Sequence, residues 1–234
     1  MATPSAHSSD ASCSRPRVVV VGGSVRPDNY TARALAVLCE ELEAQGVATD
    51  HVRPAEWALP LPGAVGADET DAVRLRALLR DADAVVFGTP LYNGSYSSVT
   101  KLVIDSLGYP SVLAGRPVAL VGVAASPMGA DRALAHLEEV CRHIRCRIIP
   151  GPVSIADVWN AFDGAVLQRP EVREALRSLA ERVAGVAGAG RSMPTTAPPA
   201  SRTGPPISPG RASRSNRLTF ASPLRPRRSA SRPN

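Results

Sequence analysis

Residues 17–31 read Arg17-Val18-Val19-Val20-Val21-Gly22-Gly23-Ser24-Val25-Arg26-Pro27-Asp28-Asn29-Tyr30-Thr31. The β-branched run before the glycines has the unbroken apolar character of a strand buried on both faces, as in a parallel sheet. From residue 30 to 45 the period changes. Leu35, Leu38, Cys39 and Leu42 fall at i, i+3, i+4 and i+7, the stripe of an amphipathic helix that Gly46 stops.

The same alternation continues outward from that stretch. Residues 84–87 and 117–123 read as further buried strands, with weaker ones at 47–52 and at 147–149 joined by 153–155. Helical periodicity fills residues 70–81, 97–107, 131–143 and 170–186. Strands that alternate with helices through short links must pair in parallel by right-handed crossovers. The expected fold is an α/β three-layer sandwich on a five-stranded parallel sheet of order 2-1-3-4-5, the flavodoxin-like arrangement.

A chain of 234 residues, 44% hydrophobic, carries one such domain and not two. Residues 1–15 are polar and rich in Ser and Ala, and are expected to form a disordered extension; 16–187 form the domain. From 188 to 234 the composition shifts to Pro, Ser, Gly, Thr and Arg, which predicts a disordered basic tail unable to bury a core. The formal charge of +6 belongs to that tail, because nine arginines and no acid lie from Arg191 onward. The tail suits weak contact with nucleic acid, or a solubilising extension with no partner; no aromatic interleaving accompanies its arginines.

Cys13, Cys39, Cys141 and Cys146 have no zinc-type pairing and read as reduced thiols. The start of the chain lacks a basic segment leading into an apolar one, and no run approaches the ~20 apolar residues of a membrane span. A cytoplasmic protein without membrane contact is expected.

Chemistry concentrates at the turn after the first strand. A helix N-terminus facing a strand end offers unpaired N–H groups and the positive end of a dipole, a setting for an anion. Gly22 and Gly23 allow close approach, Ser24, Asn29 and Thr31 supply short donors, and Arg26 supplies a charged fork matched to phosphate oxygens. The stretch is neither a Walker A loop nor G-x-G-x-x-G, so the phosphate of a mononucleotide remains. The plainer alternative is an ordinary turn capped by Asp28 or Asn29. A second unusual turn, Gly88-Thr89-Pro90-Leu91-Tyr92-Asn93-Gly94-Ser95-Tyr96-Ser97, follows the third strand. In the 2-1-3-4-5 order the ends of strands one and three flank the switch point, which brings both turns to one crevice. His7 and His51 are isolated, and His136 and His143 lack the spacing of a zinc pair, so no metal site is expected. Ser24 lacks the closing glycine of a nucleophile elbow.

These motifs resemble those of the NADPH-dependent FMN reductase family. The first turn is similar to its G-S-x-R-x-x-S-x-[NT] phosphate loop. The second is similar to its T-P-x-Y-N-x-S segment, continued through Lys101 to Asp105, and Trp57-Ala58-Leu59-Pro60-Leu61-Pro62 is similar to its proline-bearing loop after strand two. The resemblance runs over residues 17–186.

It implies an oxidoreductase with FMN as cofactor and NADPH or NADH as hydride donor. Ser24, Arg26, Asn29 and Thr31 would hold the phosphate, with Asn29 where the family often has serine. Pro90, Leu91, Tyr92, Asn93 and Gly94 would pass beside the isoalloxazine, with backbone N–H groups near its reactive nitrogen; Leu91 stands where many relatives have glutamate. Ser126 and Gly129 match a third flavin-contacting loop. No residue is implied as catalytic, because the flavin carries the chemistry.

Lys101 is the single lysine among 27 basic residues. It reads as a helix partner of Asp105 or, by resemblance, as part of a homodimer or homotetramer contact. The implied acceptor is free flavin for a partner monooxygenase, a quinone, an azo compound or a metal oxyanion. The stretch from Tyr96 to Lys101 resembles flavin-supplying reductases and favours the first. A non-enzymatic flavin-binding electron carrier or regulatory module would share the same sheet and turn.

Overall fold

The structure is a computed structural model in which residues 15–191 are described. Apart from Arg15 and residues 188–191, the expected N-terminal extension and basic tail lie outside the described residues.

The chain runs β1 (Arg17–Val21), α1 (Tyr30–Ala44), β2 (Ala48–Val52), a 3-10 turn (Pro54–Glu56), α2 (Thr70–Arg80), β3 (Ala84–Pro90) and α3 (Ser98–Asp105). It continues through β4 (Pro117–Val123), α4 (Asp131–His143), β5 (Arg147–Ile148), β6 (Val153–Ile155), α5 (Val158–Ala161), β7 (Phe162–Asp163), β8 (Val166–Leu167) and α6 (Pro170–Arg191). The main sheet is parallel with order β2-β1-β3-β4-β5, and β6 also pairs with β4. The fold is thus the flavodoxin-like α/β sandwich, with its fifth position filled by two short strands. Pro150 and Pro152 lack the N–H that a continuous strand would donate, and Gly151 between them has φ +77°, which breaks the ladder there.

The valines of β1 explain the three layers. Val18 and Val20 pack into a core with α1 and α6, while Val19 and Val21 pack into a second core with α2, α3 and α4. Full burial of each valine contributes about 1.5–3 kcal/mol, and because both sets are valine the strand is held by two apolar faces at once. The helix stripe behaves as its period predicts, with Leu35, Leu38 and Leu42 fully buried against the sheet; Cys39 stands at the edge of that core, half-buried.

Three features differ from the sequence expectation. β3 runs past Gly88 to Pro90, pairing Thr89 with Gly122 and Pro90 with Val123. Helix α6 continues beyond residue 187 to Arg191, because Ala187 is buried in the α1–α6 core and anchors the last turns despite the low helix propensity of Gly185 and Gly188. A short helix and hairpin, α5 with β7 and β8, fills residues 158–167, where Phe162 is buried and lies 6.0 Å, ring to ring, from Tyr30.

Candidate functional site

The turn after β1 is built around α1. Asn29 is its N-cap: Oδ1 accepts from the N–H of Ala32 at 2.8 Å, and Nδ2 donates to the carbonyl of Arg26 at 2.7 Å. The backbone carbonyl of Asn29 accepts from Arg33 at 3.2 Å. A helix start leaves its first N–H groups without helical partners. Among the described residues those of Tyr30 and Thr31 have no acceptor, so they remain for an anion. Asn29 therefore shapes the turn with both ends of its amide. Ser24 and Thr31 are buried, and Arg26 has no carboxylate within ion-pair reach among the described residues.

Gly23 sets how close this turn comes to the next one. A Cβ there would meet Thr100 Oγ1 at 2.3 Å and the Gly88 carbonyl oxygen at 2.5 Å, so only glycine fits. The gap is bridged by buried hydroxyls. Ser97 Oγ donates to the Gly23 carbonyl at 2.5 Å, Thr100 Oγ1 to Thr89 Oγ1 at 3.2 Å, and Thr89 Oγ1 to the Pro90 carbonyl at 3.1 Å. Ser97 is also the N-cap of α3, accepting from Thr100 N–H at 3.1 Å. Thr89, Ser97 and Thr100 thus latch the two turns together, and nothing in their spacing signals it.

Past the latch the chain makes a tight hairpin. Tyr92 and Ser95 exchange backbone hydrogen bonds at 2.9 and 3.0 Å, with Asn93 at φ +48° and Gly94 at φ +81° between them. Two central residues at positive φ in an Asn-Gly pair mark a type I′ turn. The N–H of Leu91 is bonded to the Val123 carbonyl at 2.8 Å. The backbone donors of Leu91 and Tyr92 are therefore engaged within the protein, whereas those of Asn93 and Gly94 have no backbone partner among the described residues.

Together these turns form the expected crevice. Ser24, Arg26, Asn29 and Thr31 from one side and Pro90, Leu91 and Tyr92 from the other line one cavity of about 290 Å³. Asn93 joins Ser24, Arg26, Leu91 and Tyr92 around an adjoining cavity of about 470 Å³. Gly94 lines neither, as the far corner of its turn. Ser126 and Gly129 line neither as well. Ser126 is turned to local bonds, its Oγ accepting from Met128 N–H at 3.1 Å and its carbonyl from Asp157 N–H at 3.0 Å. At Gly129, φ +73°, a Cβ would strike Ser154 Oγ at 2.6 Å. The third loop meets the cavity through Ala124 and Ala125 instead, and α5 adds Val158 and the exposed Trp159 at the rim.

Lys101 pairs with Asp105 within α3, its Nζ lying 2.7 and 2.8 Å from the two carboxylate oxygens. Among the described residues no cluster of three or more His, Cys, Asp or Glu could hold a metal ion, and no helix is long and apolar enough to cross a membrane.

A parallel 2-1-3-4-5 sheet whose two switch-point turns enclose an anion-ready helix end defines a mononucleotide-binding α/β protein of the flavodoxin-like class. The comparisons with known proteins narrow that class. The family model described as NADPH-dependent FMN reductase matches residues 16–161, and the chain belongs to that family. It is 30% identical over 159 residues to an NAD(P)H-dependent FMN reductase of Pseudomonas aeruginosa, covering 63% of this chain and 81% of that one. A 2-hydroxy-1,4-benzoquinone reductase of a Burkholderia species is 30% identical over 55% of this chain and 71% of its own. Among solved structures, FerB, a flavoenzyme NAD(P)H:(acceptor) oxidoreductase of Paracoccus denitrificans, superposes with a TM-score of 0.64 at 22% identity, over 75% of this chain and 98% of that one; at this identity the likeness is one of fold. Membership makes this chain an NAD(P)H-dependent flavin oxidoreductase.

Proposed function

We propose that the crevice holds FMN with its phosphate in the turn after β1 and its ring beside the hairpin after β3, and that the protein passes electrons from a reduced nicotinamide to a small aromatic acceptor. The observation that carries this is the lining of one cavity by Arg26, which has no ion pair among the described residues although Asp28 lines the same cavity, and by Pro90, Leu91 and Tyr92 across from it. The donor set suits the group: a guanidinium, the Ser24 and Thr31 hydroxyls, and the free first-turn N–H groups of α1 can surround a phosphomonoester. Asn29 acts by holding that turn in shape. Bound FMN supplies reversible hydride acceptance and donation, so the chain needs no general acid or base of its own.

The protein's part is to bind and orient. Arg26 offsets the phosphate charge. Of the hairpin's remaining backbone donors, Asn93 lines the adjoining cavity, and its N–H would be the one to meet negative charge growing on a bound flavin. Of the candidate contacts in the loop after β4, Ser126 and Gly129 serve by fixing that loop, while Ala124 and Ala125 form the wall.

Tyr92 and Trp159 both reach the cavity and are 41% and 65% exposed, so aromatic edges frame its mouth. That frame favours a planar acceptor that can stack, free flavin or a quinone, over a metal oxyanion. Free flavin delivered to a partner monooxygenase, in a cytoplasm that supplies reduced nicotinamide, is the physiological setting we favour. We also propose self-association into dimers or tetramers through α3, where the exposed Leu61 lines a shallow cavity with Asp105 and Tyr109 stands 85% exposed nearby in sequence. Unchanged sedimentation of a Lys101→Ala variant would argue against it.

Anaerobic mixing of the FMN-loaded protein with NADPH tests the enzymatic reading. Rapid loss of the oxidised flavin absorbance, recovered when flavin or quinone is added, is expected. A yellow protein whose colour NADPH does not bleach would instead be a flavin-binding carrier or regulatory module.

A further inference from the structure

The hairpin after β3 ends in a corner with little of its own to hold it. The Tyr92–Ser95 backbone bonds close the turn on itself, and the Leu91 N–H ties only its entry, to the Val123 carbonyl. Tyr92 and Asn93 are exposed. A two-stranded turn standing alone is marginally stable in water, so contacts from outside it must fix where this one points.

Those contacts come from α4. Leu134, Leu137 and Cys141 of that helix are buried in the core, and the Ala130 N–H just before it donates to Ser154 Oγ at 2.8 Å, so the helix is fixed along one face and at its start. Arg132 and His136 lie four apart on α4, which makes them neighbours on one side of it, and both reach the hairpin. His136 Nδ1 is 3.0 Å from Ser95 Oγ. A hydroxyl can donate or accept, so this bond forms with either ring tautomer. The Arg132 side chain lies along the corner itself, because a Cβ on Gly94 would stand 3.4 Å from its Nη1 and 3.6 Å from its Cδ. Among the described residues the His136 bond is the single hydrogen bond that a side chain of another element makes to residues 92–95, and Arg132 has no ion-pair partner to draw it away.

The pose of the corner matters because Asn93, at φ +48°, lines the cavity adjoining the flavin crevice. A backbone donor stabilises developing charge only when it is already aimed at the place where that charge grows. A corner free to swing loses that aim.

We infer that His136 is a positioning residue for the flavin: through Ser95, and with Arg132 against the Gly94 corner, it holds the hairpin in the pose that keeps the Asn93 N–H at the cavity. The inference rests on the flavin-reductase reading and adds to it a residue that lines neither cavity. His136 stands 41 positions from Ser95, on an element whose own pattern reports only its buried face.

The test is hydrogen exchange at the Tyr92 and Ser95 amides of the full chain, free of flavin and loaded with FMN, joined to the midpoint potential of the bound FMN. Wild type is compared with His136→Ala, His136→Asn, Ser95→Ala and the double variant His136→Ala with Ser95→Ala. His136→Ala should speed exchange at those two amides by roughly 3- to 10-fold, the effect of one lost hydrogen bond, while the amides of β4 and α1 keep their wild-type rates. An asparagine amide occupies nearly the place of Nδ1, so His136→Asn should return exchange to within about twofold of wild type. The double variant should match either single one, since both substitutions remove the same bond. In the loaded protein His136→Ala should weaken reduced FMN more than oxidised FMN and so lower the midpoint potential, because the displaced N–H serves charge that grows only on reduction. Unchanged exchange in His136→Ala, faster exchange throughout the fold, no rescue by asparagine, or faster exchange with an unchanged potential would each overturn the assignment. Failure of the wild-type chain to take up FMN would count against the flavin reading instead, and exchange in the flavin-free protein still decides whether α4 fixes the hairpin.

Discussion

The turn after β1 and the loop after β4 both stand at strand ends of the same sheet, and both carry family-like residues, yet they serve the site differently. In the first, Ser24, Arg26 and Thr31 face the cavity while Asn29 and Gly23 hold the backbone around them. In the second, Ser126 and Gly129 turn to internal bonds and close packing, and the cavity wall is made by alanines. Residues that match the motif thus include some engaged in the shape of their own loop, outside the lining of either cavity.

Substitutions separate shaping from contact. The largest effect is expected at Gly23. A Cβ there collides with Thr100 Oγ1 and with the backbone oxygen of Gly88, which cannot move without shifting β3. Gly23→Ala should destabilise the fold by about 1–3 kcal/mol and abolish flavin binding, measured by thermal melting and by flavin fluorescence quenching. Next is Ser97→Ala, which leaves the Gly23 carbonyl unpaired inside the protein and uncaps α3. A loss of about 1–3 kcal/mol is expected in urea unfolding, with weaker flavin binding because the two turns drift apart. If that variant binds flavin normally, the latch does not position the turn.

A pH effect comes from below the same turn. His51 has a folded-state pKa below its unfolded value of about 6.5, because burial and Arg53 disfavour its charge. The unfolded chain therefore takes up this proton first, and the contribution is present above that value and lost as pH falls through it. Urea midpoints measured from pH 7.5 to 5.5 should fall, and His51→Gln should flatten the fall. The smallest effect is expected at Ser126. Its Oγ makes one exposed hydrogen bond to Met128 N–H, so Ser126→Ala should leave FMN affinity within about twofold and stability within about 0.5 kcal/mol. A tenfold loss of FMN there would restore the loop after β4 as a contact surface.

How much was legible in the sequence follows the same division. The valines of β1 announce themselves as an unbroken apolar run because both faces of that strand are buried, and the leucines of α1 through a period of 3.6. The α5 helix of four residues and the hairpin of two-residue strands are too short for any period. Arg26 was legible as a residue of the crevice because glycines, a strand end and a helix start surround it in one stretch of chain. The Asn93-Gly94 turn was legible in principle, since that pair favours type I′ geometry. The Ser97 bond to Gly23 spans 74 positions, and a hydroxyl that small leaves no pattern at such a distance.

The account depends most on a monophosphate's charge resting between Arg26 and the start of α1. Parallel titrations of wild-type and Arg26→Ala protein with FMN and with riboflavin, which lacks the phosphate, read that charge directly. Weakening of FMN by roughly 10- to 100-fold with riboflavin affinity unchanged is predicted. Equal FMN affinity in the two proteins would contradict it.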